Sequence, residues 1–317
     1  MSPPDAGREH PPWGRFPTAA FWLAAMALAG GAAAQELEPR TYASAPVGVQ
    51  FVVLGGGHAT GDLVFDPSLP IEDASASIDF GLAGYARTFS LFGRVGKAAV
   101  AIPWFDGKAE GLVAGVPAER VLQGMGDPRL SVGWLFYGAP ALAPAAFAAG
   151  PRSPSSAGIT VTLAVPAGEY DDERLLNLGT NRWTLKTEVG ASRRLGRWWV
   201  EGAAAVSLFT DNDEFQRTLR REQAPVYSLQ GHLVWEPRPR LWIALDGTYY
   251  WGGQMRVEGT PRGAELGNSR VGMTASLPVA RRHAVKLTLA RGLSVRTGTD
   301  FQTVGVAWQW TLVPTPR

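Results

Sequence analysis

From about residue 46 onward the chain repeats segments of roughly ten residues in which apolar side chains alternate with small or polar ones. The last segment shows the pattern plainly: Val304, Val306, Trp308, Trp310 and Leu312 alternate with Thr303, Gly305, Ala307, Gln309 and Thr311. Successive side chains of a strand point to opposite faces, so one face seeks hydrocarbon while the other tolerates water. A tilted strand crosses a bilayer in about 9–11 residues. The pattern therefore predicts an all-β fold, an antiparallel transmembrane β-barrel. A soluble sandwich would use shorter strands with fewer aromatics at their ends.

Ahead of the alternation stand Arg8 and Arg15, the apolar run Ala19 to Ala29, and Ala32-Ala33-Ala34. A basic n-region, a short apolar run and small residues at −3 and −1 predict a signal peptide over 1–34, cleaved after Ala34, with the barrel over 35–317. The apolar run is well short of the roughly 20 residues a spanning helix needs. Cysteine is absent, so neither disulfides nor thiol chemistry are available. With 12 Trp and 38 Gly the chain is suited to aromatic girdles, tight turns and close strand contacts. A formal charge of +2 gives no case for nucleic acid as a partner.

Twelve strands are predicted, at 46–56, 74–88, 95–105, 127–137, 157–166, 182–194, 197–210, 225–236, 240–252, 268–279, 283–292 and 300–312. Short joints alternate with long polar ones over 57–73, 106–126, 167–181, 211–224, 253–267 and 293–299. Short periplasmic turns and longer outer loops are the habit of bacterial barrels, and an even strand count keeps both termini in the periplasm. This places the chain in a Gram-negative outer membrane, reached by the general secretory route. Its partners would be membrane lipid, lipopolysaccharide and the barrel-assembly machinery. The joint Gly138 to Ser156 is too long and too rich in Ala and Pro for a simple turn, which leaves ten or fourteen strands open.

Parity separates two faces. Leu130, Val132, Trp134 and Phe136 read as lipid-facing, as do Ile159, Val161, Leu163, Leu229, Leu233, Trp235, Ile243, Leu245, Leu287 and Leu289. Charged groups on the lipid face cost about 2–4 kcal/mol near the midplane. The opposite parity is accordingly predicted to line the pore: Asp79, Tyr85, Arg87, Arg129, Lys186, Glu188, Glu201, His232, Asp246, Arg270 and Lys286. Such mixed charges can line an open channel or pair into a network that braces and occludes it. Trp198, Trp199, Trp235, Tyr249, Tyr250, Trp251 and Trp308 read as girdle aromatics, with Tyr85, Trp242 or Tyr250 as alternatives for stacking on a solute.

Several motifs together resemble one family. They are Ala45-Pro46-Val47-Gly48, the run Asp66-Pro67-Ser68-Leu69-Pro70-Ile71-Glu72-Asp73-Ala74, Tyr85 to Phe89 with Leu91 to Arg94, Gly126-Asp127-Pro128, and Pro166 to Asp171 continuing to Asn177–Trp183. They make the chain similar to the MetA-pathway of phenol degradation family of outer-membrane transporters. The resemblance implies a barrel that passes small hydrophobic or aromatic compounds. The chain departs from the family in Ala167, where Thr is usual, and in lacking a terminal aromatic.

Within loop 57–73, the proline-stiffened residues Asp66, Pro67, Pro70, Glu72 and Asp73 are predicted either to fold into the mouth as a constriction or to form a solvated outer loop. The acidic clusters Asp171-Asp172-Glu173 and Asp211, Asp213, Glu214 match no EF-hand spacing, so no metal is predicted. No G-x-S-x-G or HExxH sequence occurs, and His232 falls on the pore parity rather than the lipid face. The chain is thus expected to be no enzyme and to need no cofactor. The favoured reading is a passive conduit for small apolar or aromatic solutes. The alternative is a structural or surface-interaction barrel without transport.

Overall fold

The structure, a computed structural model, describes residues 38–64, 71–113, 115–150, 153–174 and 176–313. In chain order the strands are β1 (Gln50–Val64), β2 (Ile71–Leu91), β3 (Arg94–Val113), β4 (Val116–Met125), β5 (Arg129–Tyr137), β6 (Ser155–Ala164), β7 (Thr184–Leu195) and β8 (Trp198–Phe209). They continue as β9 (Asn212–Phe215), β10 (Leu219–Gln223), β11 (Val226–Arg238), β12 (Leu241–Gly252), β13 (Met255–Val257), β14 (Thr260–Arg262), β15 (Leu266–Ala280), β16 (His283–Ser294) and β17 (Gly298–Leu312). One short helix, α1 (Pro144–Ala149), lies between β5 and β6.

The main sheet is antiparallel and closes on itself. Strand β1 pairs with β2 on one side and with β17 on the other, in register from Gln50↔Leu312 to Val64↔Gly298. Strand β3 pairs along its lower part with β5 and along its upper part with β4, so β4 is the raised edge of a hairpin that continues as β5. Without that edge the barrel has twelve strands, as the alternation predicts. Closure satisfies every ladder group without an edge inside the membrane, which lipid demands because it offers no hydrogen bonds.

The joints at Leu91–Arg94, Leu195–Trp198, Arg238–Leu241 and Ala280–His283 are tight. Phe92 and Gly93 have φ of 50° and 71°, the left-handed pair of a two-residue hairpin whose twist matches the flanking strands. The long joint after β5 is no miscount, since residues 139–141 pack back on the β2–β3 turn. Val95 and Ala141 N–H donate to Ala139 and Gly93 carbonyls, and Ala139 is fully buried. Gly138 begins it at φ +70°, and a Cβ there would lie 1.8 Å from the Ser155 carbonyl oxygen.

The outer side departs from the expected loops. Loop 57–73 is mostly strand, because β1 runs to Val64 and β2 starts at Ile71. At about 3.3 Å per residue, the 21 residues of β2 span roughly 70 Å, far more than a tilted crossing of the roughly 25 Å apolar band requires. The β1–β2 and β3–β4 hairpins therefore stand well clear of the membrane. The segments 211–224 and 253–267 form a separate four-stranded sheet in the order β14-β13-β10-β9.

Outward faces carry the lipid surface. Leu229, Leu233, Ile243, Leu245, Leu287, Leu289, Val304 and Val306 are exposed. Aromatics flank them: Tyr227 and Tyr249 stack on Trp251 towards the outer end, while His283, Trp308 and Trp310 stack towards the turns. Amphipathic rings favour these two interfaces.

Candidate functional site: the barrel lumen

The lumen is organised by residues 38–49, which precede β1 and run along the inside of the wall at the turn end. Glu38 Oε2 lies 3.5 Å from Lys286 Nζ on β16. The Arg40 backbone N–H donates to Glu201 Oε2 at 2.6 Å, and its guanidinium lies between Glu201 and Glu236, 4.1 Å over the Trp199 ring. Tyr42 reaches β7, its hydroxyl donating to Glu188 Oε1 at 2.9 Å, while Ser156 donates to the Tyr42 carbonyl. Burial and then the Glu188 carboxylate push the Tyr42 phenol well above its ordinary pKa, so it remains a donor. Lys97 on β3 donates to the carbonyls of Thr41 and Ala43, and Thr88 on β2 to that of Pro46. The segment thus touches seven strands, β16, β8, β11, β7, β6, β3 and β2, before entering β1.

The wall from β7 to β15 presents polar side chains inward, and its carboxylates are bonded to neighbouring side chains. Glu188 accepts from Lys186 at 2.8 Å and Gln230 at 3.2 Å besides Tyr42. Ser192 donates to Glu201 at 2.8 Å. Asp246, only 1% exposed, has one oxygen 2.8 Å from His232 Nδ1 and the other 2.7 Å from the Thr274 hydroxyl. Thr274 is bonded to the carboxylate and not to the imidazole, an arrangement that braces the ring rather than activating a nucleophile.

The opposite wall is different. Inward positions on β1 are Phe51, Val53, Gly55, Gly57 and Ala59. On β2 they are Phe80, Leu82, Gly84 and Ala86, and on β3 Ala99, Ala101, Pro103 and Phe105. Thr303, Gly305 and Ala307 continue the face on β17. These residues are small or apolar, and most are only half-buried; Leu82 is 38% exposed although it points inward. Gly57 has no room for a Cβ beside the Phe80 ring, 2.6 Å away. At the turn end this wall opens onto a cavity of about 530 Å³ bordered by Phe51, Val53, Ala86, Trp242, Ala284 and Lys286.

Towards the outer end the lumen is crossed by residues 165–174 and 176–183. Asp127 holds the bend, accepting from the Gly168 and Thr180 N–H groups and the Thr180 hydroxyl. Leu176 and Leu178 then pack on Leu63, Ala76, Ile78, Ala109, Leu122 and Phe301. On the other side Arg182, 3% exposed, lies 4.4 Å over Phe209 and donates to Gln223.

Of the residues expected to line the pore, Arg129, Lys186, Glu188, Glu201, His232, Asp246, Arg270 and Lys286 lie on inward faces. Asp79, Tyr85 and Arg87 do not. Buried Ala76 and Ile78 set the inward parity of β2, so these three point outward, where Asp79 pairs with His58 at 2.8 Å and Tyr85 donates to Gln50. The rule that charge marks the lumen fails here because the inward face of β2 is itself apolar. Trp199, expected in a girdle, is 5% exposed inside the lumen, with its indole N–H on Glu236. Tyr250 is likewise inside, and Trp242 borders the cavity.

The loop read as either a constriction or a solvated outer loop is described only in part. Asp66, Pro67 and Pro70 lie outside the described residues. Glu72 and Asp73 are exposed on β2 at the tip of the raised hairpin, where the register with β3 slips. Residues 165–174 and 176–183 enter the lumen. Their leucines, hidden in a polar stretch with Asp171, Asn177 and Thr180, gave little sign of it. The two acidic clusters meet arginines: Glu173 pairs with Arg217, Asp211 and Asp213 with Arg220. Among the described residues, no group of three or more His, Asp or Glu is placed to hold a metal ion.

A family model described as "Putative MetA-pathway of phenol degradation" matches residues 54–310. Among solved structures, an outer-membrane channel from Pseudomonas putida F1 superposes with a TM-score of 0.74 at 23% identity, covering 87% of this chain and 100% of that one. The β domain of the Bordetella autotransporter BrkA gives 0.47 at 9% identity over 83% and 98%. The monoaromatic hydrocarbon channel CymD gives 0.44 at 7% over 85% and 90%. No curated protein matches the chain in sequence.

Proposed function

The chain belongs to the MetA-pathway of phenol degradation family, and on that premise we propose that it works in the outer membrane as a passive conduit for small apolar or aromatic compounds. The observation that carries this reading is the inward face of β17, β1, β2 and β3. It is apolar, lined with small residues, left partly exposed inside the barrel and continuous with the cavity at the turn end. A polar solute gains nothing from such a face, whereas a ring desolvates on it at low cost. The charged wall opposite supplies rigidity: its carboxylates and cations are already paired and hold residues 38–49 in place.

The test is flux into liposomes carrying the refolded mature protein. Single-ring aromatics should pass faster than sugars of similar size. Equal rates for both would describe a general porin. No flux through folded protein would leave the structural barrel, for which the raised β1–β2 and β3–β4 hairpins offer surface to a partner.

A further inference from the structure

Two buried arginines at the outer end of the lumen are without an ion pair among the described residues. Arg182 and Arg221 are 3% and 5% exposed. Arg182 Nε and Nη1 and Arg221 Nη2 are buried without a hydrogen-bond partner. Among the described residues, neither guanidinium has a carboxylate within ion-pair distance. The nearby acids are committed elsewhere: Asp127 to Gly168 and Thr180, Asp211 to Arg220.

The contrast with the adjacent residue is informative. Alternation along β10 turns Arg220 outward, where it meets Asp211, Asp213 and Glu222, and turns Arg221 inward, where it meets none. Gln223 shares the inward face of Arg221 and accepts from Arg182. They are close enough that Arg221, after burial, depresses the pKa of Arg182; burial brings Arg221 itself down to about 10. Each lies against a phenyl ring, Arg182 on Phe209 and Arg221 at 5.3 Å from Phe215. The hydroxyl of Tyr170, held by Asn212, borders the site.

A buried cation without a partner is strongly disfavoured, and two together more so. A guanidinium fork matches a planar carboxylate, and the flanking rings match an apolar body. We propose that Arg182 and Arg221 form an anion-binding subsite for a carboxylate carried on a small aromatic ring, under the sheet of β9, β10, β13 and β14. This deepens the conduit reading and rests on it, since it makes ring-bearing acids the solutes selected at the outer mouth.

The experiment is equilibrium binding of benzoate to the full mature protein, folded in detergent, by titration calorimetry, with benzyl alcohol as the neutral control. Benzoate should bind saturably and benzyl alcohol far more weakly. Arg221→Gln should weaken benzoate about tenfold or more, the usual scale for a charge-assisted contact, and Arg221→Lys should restore part of it. If the variants fail to fold, thermal unfolding of the unaltered protein decides: benzoate should raise its melting temperature more than benzyl alcohol does. Equal binding of the two probes, or benzoate binding unchanged in folded Arg221→Gln, would overturn the subsite. Inorganic phosphate displacing benzoate at equal concentration would overturn the assignment to a carboxylate. Liposome flux of toluene separates this proposal from its premise. Benzoate binding with no toluene flux would sink the conduit alone, and toluene flux with no benzoate binding the subsite alone.

Discussion

The two halves of the inner wall were built to opposite rules. From β7 to β15, Glu188, Glu201, His232, Asp246 and Thr274 are nearly all buried and bonded to one another or to residues 38–49. From β17 through β1 and β2 to β3, glycine, alanine and a few large apolar residues stay partly exposed within the barrel. One wall is packed by polarity and the other left open by smallness. A narrow barrel can thus be braced and still keep a path, provided bracing and path occupy different strands.

That division can be broken in graded ways. The largest effect belongs to the packed wall. Glu188→Ala would strand Lys186, Tyr42 and Gln230 in the lumen and should cost about 3–5 kcal/mol, the range for breaking a buried pair. Urea unfolding in detergent measures it; a loss below about 1 kcal/mol would mean that the network contributes little net stability.

Next comes the lipid side, where the two halves should not differ. Leu245→Arg on β12 and Val304→Arg on β17 should each cost about 2–4 kcal/mol, because hydrocarbon faces both. Unequal costs, seen in the same unfolding assay, would show that one of the two positions lies outside the membrane band.

The open wall should respond in flux rather than stability. Ala101→Trp fills the apolar face and should slow aromatic flux about tenfold, a rise of about 1.4 kcal/mol in the barrier. Unchanged flux in a folded variant would move the path away from this wall. The smallest effect concerns Asp79, which faces outward. Asp79→Asn should alter stability by less than about 1 kcal/mol and leave flux as it was, since its partner His58 is solvent-exposed too. A clear drop in flux would return Asp79 to the pathway.

How the sequence conveyed each half follows from the same physics. On the packed wall, most charge falls on one parity and leucine, valine or other apolar residues mostly on the other. Lys186, Glu188, Glu201, His232 and Asp246 could therefore be placed inward, because lipid tolerates none of them. On β2 the inward face is apolar too, so charge at Asp79 and Arg87 no longer marked the lumen. Trp199 was misplaced for a similar reason: an aromatic near a strand end looks the same whether it meets a headgroup or, as here, Arg40 and Glu236.

Period-two alternation, segment length and turn spacing were enough to determine a closed barrel, because backbone groups in hydrocarbon must all be paired and strands can satisfy them only in a ring, while the choice of twelve strands over ten or fourteen was decided by the joint after β5. Which segments turn back into that ring was decided by tertiary structure alone. Residues 38–45 carry no strand pattern, and their place along the wall follows from meeting Lys286, Glu201, Glu188 and Lys97 at once. Leu176 and Leu178 enter the mouth because Asp127 bends the chain over apolar partners drawn from β1, β2, β3, β4 and β17. Arg182 and Arg221 are neighbours only once β10 folds over the end of β7. Contacts of that kind join residues distant in sequence, and local pattern cannot carry them.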